Sequence, residues 1–192
     1  MWTYDDILSD VSLRLPQKRF EHTLGVIEES VFLARIYGAD EFKVSLAALL
    51  HDCSRYIPIE SMRQLADKTL FPDKYPEDIK GTELLHALAS EVVARQDYSV
   101  CDIDVLKAIR YHTTGCDYMN DIMCIVYSAD MIEPTRNYSG VEFLRSQREN
   151  GLFRLAYLCS EHTINYLHEK GQHVHRSSYD FYNFLKGKLN NE

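Results

Sequence analysis

Apolar residues recur three, four and seven positions apart along almost every stretch of this chain, whereas period-two alternation closed by hairpin turns is hard to find. Side chains at those intervals share one face of a helix, and a chain patterned this way hides its apolar stripes by packing helix on helix. The expectation is therefore an all-α protein in which strands are few or absent.

Turn and cap residues divide the pattern. A first helix covers about Tyr4 to Leu13, and a second begins after Pro16 and stops at Gly38. Asp40 can cap a third helix running through Cys53, and Pro58 opens a short fourth to about Asp67. The stretch with Pro72 and Pro76 is the least regular and reads as a surface loop. Thr82 can cap the next helix, another begins near Asp102 and ends at Thr113-Thr114-Gly115, and a further one leads through Asp130 towards Pro134. Beyond Pro134, helices start near Val141, Leu152 and Ser178, with a break near Gly171.

Several polar residues fall on the apolar stripes. His51 follows Val44, Ala47 and Ala48 by seven, four and three positions, and His112 follows Val105 and Ile109 by seven and three. His86 precedes Ala89 and Val93, and Asp130 follows Met123, Val126 and Tyr127. One inward histidine is ordinarily a hydrogen-bonded core residue, but four of them beside inward aspartates are another matter. A buried carboxylate is costly unless it is paired or bound to a metal. His22, His51, Asp52, His86, His112 and Asp130 therefore read as a metal site, since imidazole and carboxylate are the donors that suit Fe, Mn or Zn. The chemistry that follows is metal-assisted hydrolysis of phosphate compounds, because a divalent ion acidifies water and screens phosphoryl charge.

The formal charge of −8 excludes broad nucleic-acid binding, which needs clustered Lys and Arg. Met1 to Asp10 carries acids and no basic run before an apolar segment, so no signal peptide is expected there. Val44 to Leu50, the longest apolar stretch and itself interrupted by Ser45, is far short of the roughly 20 residues of a membrane span. The expectation is a cytoplasmic protein without membrane or nucleic-acid partners. Cys53, Cys101, Cys116, Cys124 and Cys159 form an odd set without CxxC spacing, which suggests reduced, structural thiols.

The pattern H…HD…D, read as His22, His51-Asp52 and Asp130, resembles the HD-domain phosphohydrolase superfamily. The segments RFEHTLGV, ALLHDCSRY, LLHALASEVV, AIRYHTTG and IVYSADMIEPTRNYSGVEFLR narrow this. They look like the bacterial YqeK family of symmetrical bis(5'-nucleosyl)-tetraphosphatases, a family that keeps genomic or fused company with NAD biosynthesis. HVHRSSYDFYN, from His173, matches more loosely, and Arg55 stands where the family usually has Lys.

The resemblance implies an HD-domain helical bundle: a single domain over 1–192, with a metal-binding core of about 16–135 and a C-terminal helical cover of about 140–192. By resemblance, His22, His51, Asp52 and Asp130 bind a divalent transition metal, iron first, with Mn, Co or Zn also accepted. His86 and His112 either contact the phosphate chain, the favoured reading, or complete a second metal site bridged by Asp52. Asp52, His86 and His112 are the candidate catalytic residues. Cys53, Ser54, Arg55 and Arg136 are expected along the polyphosphate, and Gly25 is expected to leave room for the substrate's approach. His173, Val174, His175, Arg176, Ser177 and Ser178 are expected at the second nucleotide or its base.

The implied reaction cleaves diadenosine tetraphosphate into two ADP. The alternatives are an HD-type nucleotidase or phosphodiesterase, or a nucleotide-binding sensor without turnover. The aromatic tail, Tyr179, Phe181, Tyr182 and Phe184, suits packing either on the core or on a second copy in a homodimer.

Overall fold

The structure, a computed structural model, describes residues 2–190 and contains ten α-helices and no strand among them. Helix α1 (Tyr4–Arg14) opens with a capping box between Thr3 and Asp6. Helix α2 (Gln17–Tyr37) begins after Pro16 and ends where Gly38 takes the left-handed conformation and returns its N–H to Ala34 O. Helix α3 (Glu41–Leu50) has Asp40 as its cap, the carboxylate accepting from Lys43 N.

The second half of helix α3 is apolar on every side, and Val44 and Leu46 to Leu50 are all buried, which is the pattern of a helix end in the core. It packs against α2, against α6 (Ile103–Tyr111) and against α7 (Asp121–Ile132). Helix α4 (Ile59–Ala66) lies on α5 (Thr82–Gln96), and α5 lies on α6. Helices α8 (Val141–Ser146), α9 (Leu152–Glu169) and α10 (Arg176–Leu189) follow, with α9 packed on both α7 and α10.

Four boundaries differ from expectation. Helix α3 stops at Leu50, and His51 to Tyr56 run through tight turns. Neighbours on a helix point about 100° apart, so leaving the helix here is what lets His51 and Asp52 face the same space. Gly81, not Thr82, precedes α5, and Thr82 is already in the helix. Helix α10 starts at Arg176, two residues earlier than expected, because the His175 ring accepts from Ser177 N and caps it. The stretch from Asp73 to Asp78 is held inward rather than lying loose, with a 3-10 turn at Pro76–Asp78 and both aspartates largely buried.

All five cysteines are free. Cys53, Cys124 and Cys159 are core residues, but Cys101 is exposed and so does not serve the packing role expected of it. The aromatic tail packs on its own chain: Phe181 is fully buried edge-on to Tyr127, Phe184 meets Tyr118, and Tyr182 stacks on Tyr157. No helix among the described residues is long and apolar enough to cross a membrane.

Candidate metal centre

Five helices deliver the site. His22 comes from α2, His51 and Asp52 from the turn leaving α3, His86 from the first turns of α5, His112 from the end of α6 and Asp130 from the last turn of α7. His51, Asp52, His86 and His112 are at most 3% exposed. Nitrogen and oxygen atoms of His22, His51 and Asp130 lie within 4.8 Å of one another, as do those of His51, Asp52 and His112.

The outer hydrogen bonds set the tautomers. The Nδ1 atoms of His51, His86 and His112 lie 2.6, 2.9 and 2.8 Å from the carbonyl oxygens of Ala48, Thr82 and Ile109. A carbonyl can only accept, so each Nδ1 carries the proton and each Nε2 presents a lone pair inward. His22 donates Nδ1–H to Glu133 Oε1 at 3.0 Å in the same sense.

The two oxygens of Asp52 face different partners. Oδ2 lies 3.0 Å from Arg19 Nη1, 3.2 Å from His51 Nε2 and 3.9 Å from His22 Nε2. Oδ1 lies 3.0 Å from His86 Nε2, 3.6 Å from Arg55 Nη1 and 3.9 Å from His112 Nε2.

The donor set fits a divalent ion. His22 Nε2, His51 Nε2 and Asp52 Oδ1 are buried yet make no hydrogen bond, although His22 Nε2 is 3.1 Å from Asp130 Oδ1. Buried polar atoms are ordinarily satisfied, and the two orphaned nitrogens, both facing Asp52 Oδ2 with His22 Nε2 also beside Asp130 Oδ1, are explained by a cation among them. Burial alone would keep Asp52 and Asp130 protonated. The Arg136 guanidinium outweighs it at Asp130 and holds that carboxylate well below its usual range, and Arg19 stands 3.0 Å from Asp52 Oδ2. Burial, then the neighbouring imidazoles, push His112 down to about 3, so it stands neutral.

A cavity of about 200 Å³ opens onto these atoms, with Arg19, Arg55, Arg136, Glu83, Thr113 and Thr163 in its wall. Arg136 donates to Asp130 through Nη2 at 2.5 Å and Nε to the backbone oxygen at 2.7 Å. Arg55 Nη1 lies 3.0 Å from His86 Nε2. Three guanidiniums around buried acids suit an anionic ligand. The volume is below the roughly 300–1,000 Å³ of small-molecule pockets, so it is large enough for an ion and phosphate oxygens while nucleosides would lie outside.

Other expected residues are placed elsewhere. Cys53 and Ser54 turn towards α5, where Ser54 N donates to Ser90 Oγ at 3.1 Å, and burial raises the Cys53 thiol to about 11. His173 to Ser178 do not line the cavity and pack against the Asp73–Asp78 stretch. Gly25 does not leave open space: a Cβ there would stand 2.4 Å from Glu133 Oε2, so the gap is filled by that carboxylate.

Glu133 and Arg19 are the two residues that sequence reasoning missed. Glu133 is fully buried, accepts from Thr135 N and Oγ1, and orients His22. Both residues lie three positions from a proposed ligand, Arg19 before His22 and Glu133 after Asp130, so helical spacing carried the signal. Gly25→Ala is expected to displace Glu133 and weaken metal retention by about 10- to 100-fold, the usual cost of losing a partner behind a metal ligand. Chelator competition checks this, and wild-type retention would show that Glu133 does not orient His22.

The HD domain family model matches residues 19–172. A symmetrical bis(5'-nucleosyl)-tetraphosphatase of Halalkalibacterium halodurans is 37% identical over 177 residues, covering 91% of this chain and 92% of that one. Its namesake from Bacillus subtilis is 33% identical over 181 residues, covering 94% and 96%. The crystal structure described as a predicted HD superfamily hydrolase involved in NAD metabolism from Clostridium acetobutylicum matches with a TM-score of 0.91 at 35% identity, over 98% of this chain and 99% of that one.

Proposed function

The chain belongs to the HD domain family, and from that premise we propose that it is a metal-dependent hydrolase that cleaves diadenosine tetraphosphate symmetrically into two ADP. The observation that carries the chemistry is the convergence of unbonded His22 Nε2 and His51 Nε2 on Asp52 Oδ2 and Asp130 Oδ1 beside a cavity walled by three arginines. The substrate comes from the names of relatives that align along most of their length.

In this reading His22, His51, Asp52 and Asp130 hold one divalent ion, with iron first and Mn, Co or Zn accommodated by the same donors. The bound ion supplies an acidified water and screening of phosphoryl charge. Arg19, Arg55 and Arg136 hold the polyphosphate and offset the repulsion its oxygens present to a nucleophile. Water adds to the phosphorus beside the central bridging oxygen, the bond from that phosphorus to the bridge breaks, and each half leaves as ADP.

His86 and His112 face phosphate. The Arg55 guanidinium against His86 Nε2 disfavours a second cation there. The Nε2 atoms of His86 and His112 lie 3.1 Å apart, beside the space an anion held by Arg55 would enter. Metal analysis should give one ion per chain, and two would move His86 and His112 into the ligand set. Incubation of metal-loaded protein with diadenosine tetraphosphate should yield ADP alone by chromatography. AMP with ATP would mean asymmetric cleavage, and absence of product would refute the assignment.

A further inference from the structure

Arg110 is 1% exposed, and it sits two residues before His112 at the end of α6. Residues two apart on a helix point to opposite sides, so the same turn that aims His112 at the cavity sends Arg110 the other way. Its Nη2 donates to Asp73 Oδ2 at 2.5 Å and its Nε to Phe71 O at 3.3 Å. The other oxygen of Asp73 accepts from Tyr75 N at 2.8 Å and faces His175 Nε2 at 3.4 Å.

The tautomer of His175 is settled by its cap. Nδ1 accepts from Ser177 N at 3.1 Å, so the proton is on Nε2, buried without a hydrogen bond and directed at Asp73. Five residues on, Asp78 Oδ2 accepts from Arg176 N at 3.4 Å and forms an ion pair with its Nε at 3.3 Å. The stretch from Phe71 to Asp78 thus works as a bracket, fastened to α6 at one end and holding the start of α10 at the other.

We propose that the buried Arg110–Asp73 pair is a positioning element that fixes the 173–178 segment at a set distance from His112, and so aligns the nucleoside end of the substrate with the phosphate end. The inference rests on the reading that this segment meets the nucleoside. A buried ion pair contributes little net stability compared with apolar residues of the same volume, and what it does supply is one geometry. The cavity, too small for a nucleoside, leaves that end to a surface outside it.

The test is calorimetric binding of ADP and of pyrophosphate to metal-loaded protein, which needs no turnover. Asp73→Asn is expected to weaken ADP about tenfold, with pyrophosphate affinity and metal content unchanged. Arg110→Met combined with Asp73→Leu leaves no buried charge and guards against misfolding. It should show the same split. ADP affinity within about twofold of wild type in both variants, or equal weakening of ADP and pyrophosphate, overturns the proposal. Arg176→Ala separates the two layers. If it weakens ADP while the pair variants do not, only the positioning role fails. If it leaves ADP unchanged, the nucleoside reading of the segment falls and the proposal with it.

Discussion

Asp52→Ala is expected to empty the metal centre and lower kcat for diadenosine tetraphosphate by at least about 10³-fold, corresponding to roughly 4 kcal/mol of lost transition-state stabilisation. The reason is the number of groups that depend on one carboxylate. Oδ2 stands against Arg19 and His51, and Oδ1 against His86 and Arg55, all between 3.0 and 3.6 Å. Without it, two guanidiniums and several inward lone pairs share a buried space with Asp130 as the remaining nearby anion, and the charge that draws a divalent ion is halved. Asp52→Asn keeps the shape but not the charge, so it should retain fold and lose metal almost as fully. Elemental analysis and product chromatography on the same samples decide the matter. Wild-type metal content with kcat reduced less than about tenfold would remove Asp52 from the centre.

Gly115→Ala is expected to produce the largest loss of stability of any single methyl group added to this chain. Gly115 closes α6, with its N–H returned to Tyr111 O at 2.8 Å and φ at +64°. A side chain in that left-handed region costs about 1–2 kcal/mol. The added Cβ would also lie 2.2 Å from Phe181 Cδ1 and 2.3 Å from Cγ, and Phe181 is fully buried under Tyr127. Overpacking a core of this kind costs about 1–3 kcal/mol more. A total near 3 kcal/mol corresponds to a fall in Tm of roughly 6–12 °C for a chain of this size. Scanning calorimetry would show it, and a shift under about 2 °C would mean that α10 yields to the methyl group without strain. The same turn begins at His112, so metal retention should weaken alongside stability. This gives the HTTG segment a physical reason: α10 lays Phe181 on the one residue there with no Cβ.

Much of the site was legible because the relevant information is local. The spacing of Val44, Ala47 and Ala48 places His51 on the buried stripe whatever the rest of the chain does, and the same holds for His112 and Asp130. Helix class, caps at Asp40 and Asp102, and the stop at Gly38 follow from neighbours within a turn or two. The motif segments carried the phosphohydrolase reading further than periodicity could.

Sequence alone thus determined an all-α chain and which faces of its helices are buried, since 3.6-residue periodicity is a property of the local backbone. The tertiary structure decided what meets those faces. Glu133 stands behind His22 across 111 residues of chain, and it fills the space at Gly25 that a local view left open for a ligand. Arg19 reaches Asp52 because α2 packs on α3, and Arg110 turns an irregular stretch near Pro72 into a bracket for α10. A pattern of polar and apolar residues says that a face will be covered. Only the packed chain brings distant charges within 3 Å of each other and so selects the partner.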